Sequence, residues 1–461
     1  MDNLNMTKIF SGASSDEIRQ DILPLIDFQA EKMSLKELSK ILNTQLIPHL
    51  VNYNHPYFLS CYNFLPETGA KLGAEIALEY NQGVTGWQVS PGGVILEEMC
   101  CQALCQLFGL SSEADATFMY CGTYSNQSAL YLALHWMAEK KYGFDFGKQG
   151  IKGFPNPTHL VAVTSSDAHL SLKHALRVMG LGEDSFVSVP VDKNHRMDVG
   201  KFEKTLIQLN KEKDIFCVIA TAGTTSTGSV DPILPIVKMC NELKIWCHVD
   251  AAFGLSYYLV PEKKFLFEGI ELADSITWDP HKTLGVPIPN SLLFLKRKED
   301  FWRHSIFGDY FNRKDDPEPN PSLKSPPTTR PFAALPLVTS IRYLGLDGVI
   351  DRLKAHLYPV QTAYEKLKTD KEIELLHKPD LGILCIRVKP TNIPEFDLDK
   401  LQRRIFEQIK YEGKYSISLT KLEHKWVIRL VVLNEAVTVD SIMETIEYTK
   451  KIAYKLLNNS E

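Results

Sequence analysis

The sequence predicts an α/β protein with a mostly parallel, seven-stranded sheet that carries helices on both faces, followed by a small C-terminal α+β domain. Two patterns support this. Between about residues 115 and 300, short and almost continuously apolar runs alternate with helical patterns, which is typical of strands buried on both faces. The last hundred residues instead follow the order strand, helix, strand, strand, helix, which indicates a separate small domain.

Each strand is predicted where a short apolar run ends at a turn or loop. The seven runs of the large sheet are 117–120, 160–164, 185–190, 215–221, 245–249, 275–278 and 291–295. Residues 335–344 and 347 to about 367 read as helical, and a kink is expected at Pro359 because proline cannot continue the hydrogen-bond ladder of a helix. The elements of the small domain are predicted as a strand at 382–388, a helix at 398–411, strands at 415–420 and 426–433, and a helix at 439–457.

Three segments are expected along the chain. Residues 1–90 read as an N-terminal helical segment, 91–345 as the large α/β domain, and 346–461 as the small α+β domain. Residues 306–330 are rich in proline, which excludes a regular element and predicts an exposed loop.

Composition excludes several classes of function. The 461 residues are 44% hydrophobic and 23% charged, as in ordinary globular proteins, and the net charge of -5 argues against nucleic acid as a partner. The chain has neither an apolar run long enough to span a membrane nor a secretory signal at its start. Its nine cysteines fit neither a disulfide framework nor a zinc site, so we expect a cytoplasmic protein without a metal centre or a membrane partner.

A reactive lysine is predicted at the end of one strand. In Ser275-Ile-Thr-Trp-Asp-Pro-His-Lys282, Pro280 ends the strand, and Lys282 follows just past its carboxyl end. Ligand sites in open α/β sheets form at that edge. Because burial lowers the pKa of a lysine and frees its lone pair, Lys282 is a candidate to form a Schiff base.

The motif Ser-x-x-x-x-Pro-His-Lys resembles the cofactor-lysine motif of the group II decarboxylases that depend on pyridoxal 5'-phosphate (PLP). This family includes the aromatic amino acid, glutamate and cysteine sulfinate decarboxylases. The resemblance implies a PLP-dependent transferase type I fold and PLP held on Lys282 as an aldimine. It also implies a homodimer with active sites at the interface, in which the N-terminal segment wraps around the partner subunit.

Three further strand ends carry residues that match the family. Asp250 ends the run His-Val-Asp-Ala-Ala, where the resemblance implies a carboxylate paired with the pyridinium nitrogen, and small Ala252 lets the ring lie close. His169, in Asp-Ala-His, is expected to stack on the ring and to serve proton transfer at Cα. Thr224 is expected beside the ring. Taken alone, these residues would be a loop-capping acid, a structural histidine and a plain turn.

A phosphate site is predicted where Tyr120-Cys-Gly-Thr-Tyr-Ser-Asn126 joins a strand to a helix. Backbone N–H groups and the positive dipole end at a helix start favour an anion. The segment resembles the family's Gly-Gly-Ser-x-Ser-Asn loop, except that Cys121 replaces the first glycine and has less backbone freedom. The resemblance assigns as phosphate neighbours Gly122, Thr123, Tyr124, Asp279 and His281. The acid among them, Asp279, must be protonated or turned away from a phosphate dianion.

Substrate contacts are predicted from the same resemblance. Arg429, a charge inside an apolar strand, matches a family arginine that points at the active site and can bind a carboxylate in a bidentate manner; the alternative is a partly exposed strand arginine. Pocket-like positions fall on Cys61, Tyr62 and Thr85. Trp278 is similar to the glutamate and cysteine sulfinate branch, which favours a small acidic amino acid, with aromatic amino acids next.

The implied activity is decarboxylation of an L-amino acid to CO2 and an amine. In many relatives a tyrosine on a mobile loop returns a proton to Cα, but residues 312–330 contain no tyrosine. We therefore expect His169 or Tyr310 to supply that proton. Other readings stay open: decarboxylation-dependent transamination, oxidative deamination, Cα–Cβ cleavage, or a PLP-binding relative with little activity.

Overall fold

The structure, a computed structural model, describes residues 8–308, 312–391 and 393–458. The chain divides into two compact units. The larger unit is Pro66–Lys354, and the smaller unit combines the residues up to Leu65 with those from Ala355 onwards. The division into three segments at residues 90 and 345 stays a prediction.

One sheet forms the centre of the larger unit. Its strands, within the described ranges, are β1 (Asp115–Met119), β2 (Leu160–Ser165), β3 (Phe186–Val189), β4 (Asp214–Thr221), β5 (Trp246–Asp250), β6 (Ser275–Trp278) and β7 (Ser291–Leu295). They lie in the order β1-β7-β6-β5-β4-β2-β3, and only β7 runs antiparallel to its neighbours. The predicted fold class is confirmed, and each predicted strand is present to within two residues.

Helices separate the strands, as the βα alternation predicts. In chain order they are α1 (Ser15–Ile22), α2 (Leu35–Ile41), α3 (Thr68–Tyr80), α4 (Pro91–Leu107), α5 (Gly122–Tyr142), α6 (Phe146–Gln149), α7 (Leu170–Val178), α8 (Val199–Leu209), α9 (Ile233–Leu243), α10 (Ala334–Leu367), α11 (Glu395–Lys410) and α12 (Val439–Asn458). Leu130 and Leu134 of α5 pack with Leu172 and Leu176 of α7 in the main hydrophobic core. Helix α5 ends where Gly143 adopts a left-handed conformation at φ 70°.

The smaller unit contains the predicted α+β domain. Its antiparallel sheet has the order β10-β11-β9-β8, with β8 (Ile373–Leu375), β9 (Ile383–Val388), β10 (Ser418–Leu422) and β11 (Lys425–Val431). Helix α11 buries Leu398, Leu401, Ile405 and Ile409, an apolar stripe at helical spacing, in the core of this unit. The sequence did not indicate β8, because three residues are too few to establish a pattern.

The interruption of α10 falls at Gly345, not at Pro359. Gly345 has φ 68° and ψ 170°, a conformation that residues with a Cβ rarely adopt, whereas Pro359 lies inside the helical part that follows. The position of the break is therefore set by a glycine that can leave the helical region at no steric cost.

The end of the proline-rich stretch nearest Arg330 makes buried contacts that an exposed loop would not make. Arg330 is buried and pairs with the buried carboxylate of Glu97. Lys324 pairs with Asp115, and the hydroxyl of Thr85 donates to the carbonyl of Thr328 over 2.8 Å. The prediction was wrong for the end of the stretch nearest Arg330, because charges far away in the sequence neutralise its basic side chains.

In the part of the chain that the structure describes, no helix is both long and apolar enough to span a membrane. All nine cysteines are free thiols; Cys61 is exposed, Cys121 is partly buried, and the remaining seven are buried. Burial raises the pKa of Cys101 and Cys217 well above the ordinary value, and a hydrogen bond with Cys240, together with burial, does the same for Cys247, so these thiols are unreactive.

Candidate active site

Three of the predicted catalytic residues lie together at the carboxyl edge of the large sheet. Asp250 is the last residue of β5, Lys282 ends the short turn that follows β6, and His169 caps α7 after β2. Because these strands are parallel neighbours or near neighbours, their carboxyl ends share one edge. The charges of Asp250, Lys282 and Asp279 all act on the imidazole of His169, which places the four side chains in one cluster.

Lys282 is paired with an acid inside this cluster. Its Nζ lies 3.0 Å from Oδ2 of Asp279, whose side chain is buried. The other carboxylate oxygen accepts a hydrogen bond from the hydroxyl of Ser291 at 2.5 Å. In this structure the acid that precedes the lysine motif therefore serves as the counter-ion of Lys282.

The start of α5 lies against the same carboxylate. A Cβ placed on Gly122 would come within 2.6 Å of Oδ2 of Asp279, so only glycine allows this close approach. Cys121 has φ -161°, an extended conformation that any residue adopts, so its replacement of a glycine costs no backbone strain. Thr123 is partly buried, and Tyr124 is exposed. The predicted phosphate segment and the predicted cofactor lysine thus meet at Asp279.

Asp250 is held by a residue to which the sequence analysis gave no role. Asn126, in the first turn of α5, donates from Nδ2 to Oδ2 of Asp250 at 2.8 Å. The backbone N–H of Ala252 donates to the other oxygen at 3.2 Å. The sequence feature that could have identified Asn126 is its position one helical turn after Gly122. This spacing places it on the side of α5 that bears Gly122.

The contacts of His169 define its tautomer. The backbone N–H of Ser171 donates to Nδ1 of His169 at 3.2 Å, so Nδ1 carries the lone pair and Nε2 carries the proton of the neutral ring. Burial lowers the pKa of His169, an effect larger than the opposing pull of Asp250. His169 is therefore a neutral imidazole whose hydrogen-bond donor is Nε2–H.

Two other predicted cofactor neighbours use their side chains locally. Thr224 is buried, and its Oγ1 lies 2.7 Å from Oγ1 of Thr227 and accepts from the N–H of Ser229 at 3.2 Å. Nδ1 of His281 lies 2.5 Å from the carbonyl oxygen of Asn290, and burial lowers the pKa of His281. Their roles beside a cofactor stay predictions.

The predicted substrate residues are distributed over the two units. In the smaller unit, Arg429 donates from Nε to Oγ of Ser418 at 2.8 Å and from Nη2 to the carbonyl of Ser60 at 3.1 Å. Its guanidinium lies 5.7 Å from the centre of the Tyr62 ring, and Cys61 is exposed. Thr85 belongs to the larger unit. Tyr310 lies outside the described residues.

Trp278 has a packing role. Its indole is fully buried, donates from Nε1 to Oγ of Ser256 at 2.9 Å, and meets the ring of Phe108 edge-on. The side chain contributes to the core, so its presence carries no information about contacts with a substrate.

Comparisons with known proteins agree with this arrangement. The model of the "Pyridoxal-dependent decarboxylase conserved domain" matches residues 20–389. The chain is 30% identical over 451 residues to an L-2,4-diaminobutyrate decarboxylase of Acinetobacter baumannii, covering 95% of this chain and 88% of that protein. It is 28% identical to an acidic amino acid decarboxylase of Homo sapiens over 358 residues, 76% of this chain and 67% of that protein.

Among solved structures, that of mouse CSAD is similar, with a TM-score of 0.88 and 25% sequence identity, covering 97% of this chain and 94% of that one. The family match spans most of the chain, including Lys282, Asp250 and His169. The chain therefore belongs to the pyridoxal-dependent decarboxylases, a family of PLP-dependent carboxy-lyases that act on amino acids.

Proposed function

We propose that this enzyme carries PLP on Lys282 and removes the α-carboxylate of a small L-amino acid, releasing CO2 and an amine. The observation that carries the proposal is the convergence of Lys282, Asp250 and His169 at one edge of the sheet, with the start of α5 beside them. A lysine, an anion, an imidazole and a helix N-terminus are the four groups that a PLP site needs.

Buried polar groups at the sheet edge support the fit to PLP. Thr221 and Thr277 are the residues in register with Asp250 on either side of β5, and the hydroxyls of both are buried without a hydrogen-bond partner in the protein. Polar groups left unpaired in a core are costly, and a bound polar ligand would satisfy them. Gly122 is compatible with the fit, because its missing side chain lets the start of α5 lie directly against Asp279, beside Lys282.

When bound, PLP draws off the electron pair that departing CO2 leaves at Cα. Asp250 would hold the ring nitrogen through its carboxylate, and Lys282 would hold the cofactor. Arg429 would bind a substrate carboxylate, which fixes the bond to be broken by positioning alone. His169, neutral and protonated on Nε2, is the group that we propose to deliver a proton to Cα.

For the substrate, we propose a small acidic amino acid. This choice is supported by a relative in Homo sapiens that is an acidic amino acid decarboxylase and is 28% identical to this chain. A second candidate, L-2,4-diaminobutyrate, is favoured by the relative from Acinetobacter baumannii, which matches over 95% of this chain.

We extend the proposal to a homodimer in a reducing compartment such as the cytoplasm. Helix α3 exposes Leu72, Ile76 and Tyr80, which are four residues apart on one face, to the extent of 55%, 37% and 67%, an apolar stripe that a second copy would cover. Nine free thiols suit reducing surroundings. Light scattering on the purified chain should give twice the mass of the monomer, and a monomeric mass at micromolar concentration would contradict the dimer.

Borohydride reduction tests the cofactor site directly. Reduction of the PLP-loaded protein should fix the cofactor on the peptide that contains Lys282, as read by mass spectrometry, and Lys282→Ala should lose both the label and the absorbance of bound PLP. Lys296→Ala is the control. Label on another lysine would overturn the proposal.

The reaction is tested with a panel of glutamate, aspartate, cysteine sulfinate, diaminobutyrate and aromatic amino acids. We expect CO2 and an amine in equal amounts, with the acidic substrates fastest. Release of an aldehyde or an oxo-acid in place of the amine would show that the enzyme carries out oxidative deamination or transamination rather than simple decarboxylation. Faster turnover of diaminobutyrate would favour the second candidate.

A further inference from the structure

A row of buried polar side chains extends from the start of β5 to the candidate active site. Trp246, His248 and Asp250 alternate along β5, so their side chains point to the same face of the sheet. Ser275, in register with His248 on the neighbouring strand β6, and Asn126 of α5 lie between them. The residues on the opposite face of β5, Cys247 and Val249, are apolar.

The hydrogen bonds at one end of the network begin at Trp246, because an indole N–H can only donate. Nε1 of Trp246 donates to Oγ of Ser275 at 2.9 Å. The hydroxyl hydrogen of Ser275 stays available for Nδ1 of His248, which is also 2.9 Å away. Nε2 of His248 lies 3.1 Å from Oδ1 of Asn126.

The direction is decided at the other end. The carboxylate of Asp250 can only accept, so the group that faces it at 2.8 Å is the NH2 of Asn126, and the amide oxygen faces His248. Nε2 of His248 therefore donates to Asn126, and Nδ1 of the neutral ring accepts from the hydroxyl of Ser275. The second amide hydrogen goes to Oγ of Ser171 at 3.0 Å. The hydroxyl of Ser171 lies 2.9 Å from Nδ1 of His169 and donates to it.

Burial preserves this arrangement. None of the network residues Trp246, Ser275, His248, Asn126, Ser171 and Asp250 is more than 5% exposed. Burial lowers the pKa of His248 to about 4, so its ring is neutral and has the one N–H that the network requires. Reversing a single bond would leave a buried donor facing a donor, which is costly in a low dielectric.

We propose that Asn126 is a positioning residue for decarboxylation: its amide orients the carboxylate of Asp250 and, through Ser171, keeps His169 in the tautomer that carries its proton on Nε2. The inference rests on the proposed function, which gives Asp250 and His169 their roles. It also supplies a reason why His169 can act as the proton donor in a chain whose residues 312–330 contain no tyrosine.

The tautomers can be measured without cofactor. Nitrogen NMR of the full chain labelled with 15N-histidine reports which ring nitrogen is protonated, with His169→Gln and His248→Gln used to assign the signals. At pH 7 we expect both rings to be neutral, with a bare Nδ1 and a protonated Nε2. A proton on Nδ1 of either ring would overturn the proposal, whatever the variants do.

Asn126→Asp tests the amide itself. Two adjacent carboxylates would then face His248, and opposite charge favours the imidazolium, so both nitrogens of His248 should become protonated at pH 7. Asn434→Asp is the matched control, because Asn434 is also buried, donates from Nδ2 to the carbonyls of Tyr53 and His55, and accepts from the N–H of Ala436. The control should leave His169 and His248 unchanged. An unchanged His248 in Asn126→Asp overturns the proposal.

A kinetic measurement separates positioning from mere stability. We expect Asn126→Asp to retain PLP on Lys282, to lower kcat by about tenfold or more, and to leave KM nearly unchanged, because the loss falls on proton transfer. Wild-type kcat in a folded Asn126→Asp enzyme would overturn the role. If borohydride labelling of Lys282 fails while the histidine signals are as expected, the proposed function is refuted and the network alone stands.

Discussion

At the scale of single residues, Asp279 is the counter-ion of Lys282, the proposed cofactor lysine. Its carboxylate contacts both Lys282 and the start of α5. A phosphate approaching that helix end would meet a negative charge that is already there, and like charges a few ångströms apart repel strongly in a buried site. The acid therefore weakens the site for phosphate while it neutralises the lysine.

Asp279→Asn should consequently bind phosphate compounds more tightly. Pyridoxamine 5'-phosphate is the suitable probe, since it lacks the aldehyde that reacts with lysine. We expect its Kd, measured by fluorescence titration, to fall by about tenfold, or about 1.4 kcal/mol. Asp347→Asn, at an exposed acid, is the control. Weaker binding in Asp279→Asn would show that the carboxylate assists the phosphate site.

At the scale of elements, one buried ion pair anchors the end of the proline-rich stretch nearest Arg330. The side chains of Arg330 and Glu97 are 4% and 3% exposed. Arg330 also donates to the carbonyl of Val84 and to the hydroxyl of Thr117. Removing one partner of such a pair leaves an uncompensated buried charge, whereas removing both does not.

We therefore expect Arg330→Leu to lower the free energy of unfolding by about 3–5 kcal/mol in urea titrations. The double variant Glu97→Leu/Arg330→Leu should recover part of that loss. Arg313→Leu, which breaks the exposed pair with Asp315 in the same stretch, should leave the free energy of unfolding nearly unchanged, because water screens exposed ion pairs. Equal losses for Arg330→Leu and Arg313→Leu would contradict the anchoring role.

At the scale of the whole molecule, buried histidines make stability depend on pH. Burial lowers the pKa of His248 to about 4 and, with a smaller contribution from His135, that of His304 to about 3. Unfolding returns both to about 6.5. Below pH 6.5 these two histidines bind protons in the unfolded chain but not in the folded chain, so their contribution to stability is lost as the pH falls from about 6.5 towards 4.

His304→Phe should flatten this dependence. Each fully buried histidine contributes a slope of about 1.4 kcal/mol per pH unit between its two pKa values, and phenylalanine can keep the stacking of His304 on Tyr131. Urea titrations at pH 4.5, 5.5 and 6.5 measure the slope. His174→Phe, at an exposed position, should leave it unchanged. A slope in His304→Phe equal to that of the wild type would contradict the assignment.

The sequence was sufficient for the sheet and for the residues at its edge. The strands were predictable because parallel strands buried on both faces must be almost wholly apolar. Lys282, Asp250 and His169 were predictable because each lies at the end of such a run or shortly after it and also matches a motif of the family. Their meeting at one edge follows from the parallel topology alone.

The supporting residues could not be predicted in the same way. His248 is a single polar residue in an otherwise apolar strand, so its role could not be read from the sequence. Its contact with Ser275 depends on the register between β5 and β6, which no local sequence pattern encodes. The contacts of Asn126 depend on how α5 packs on that face of the sheet, which the sequence of α5 alone does not show. The pairing of Arg330 with Glu97 joins residues more than two hundred positions apart. Hydrophobic periodicity and turn-forming residues cannot predict long-range contacts of this kind.

Helix α5 carries both the predicted phosphate contact, Gly122, and the residue that orients Asp250, Asn126, one turn later. Four residues of a straight helix span about 6 Å, and that spacing does not stretch. The helix therefore fixes the distance between the two groups that would bind opposite ends of the cofactor. An analogue with one methylene added between the ring and the phosphorus could place either its phosphate or its ring nitrogen correctly, but not both. We expect such analogues to be rejected, even though each functional group is unchanged.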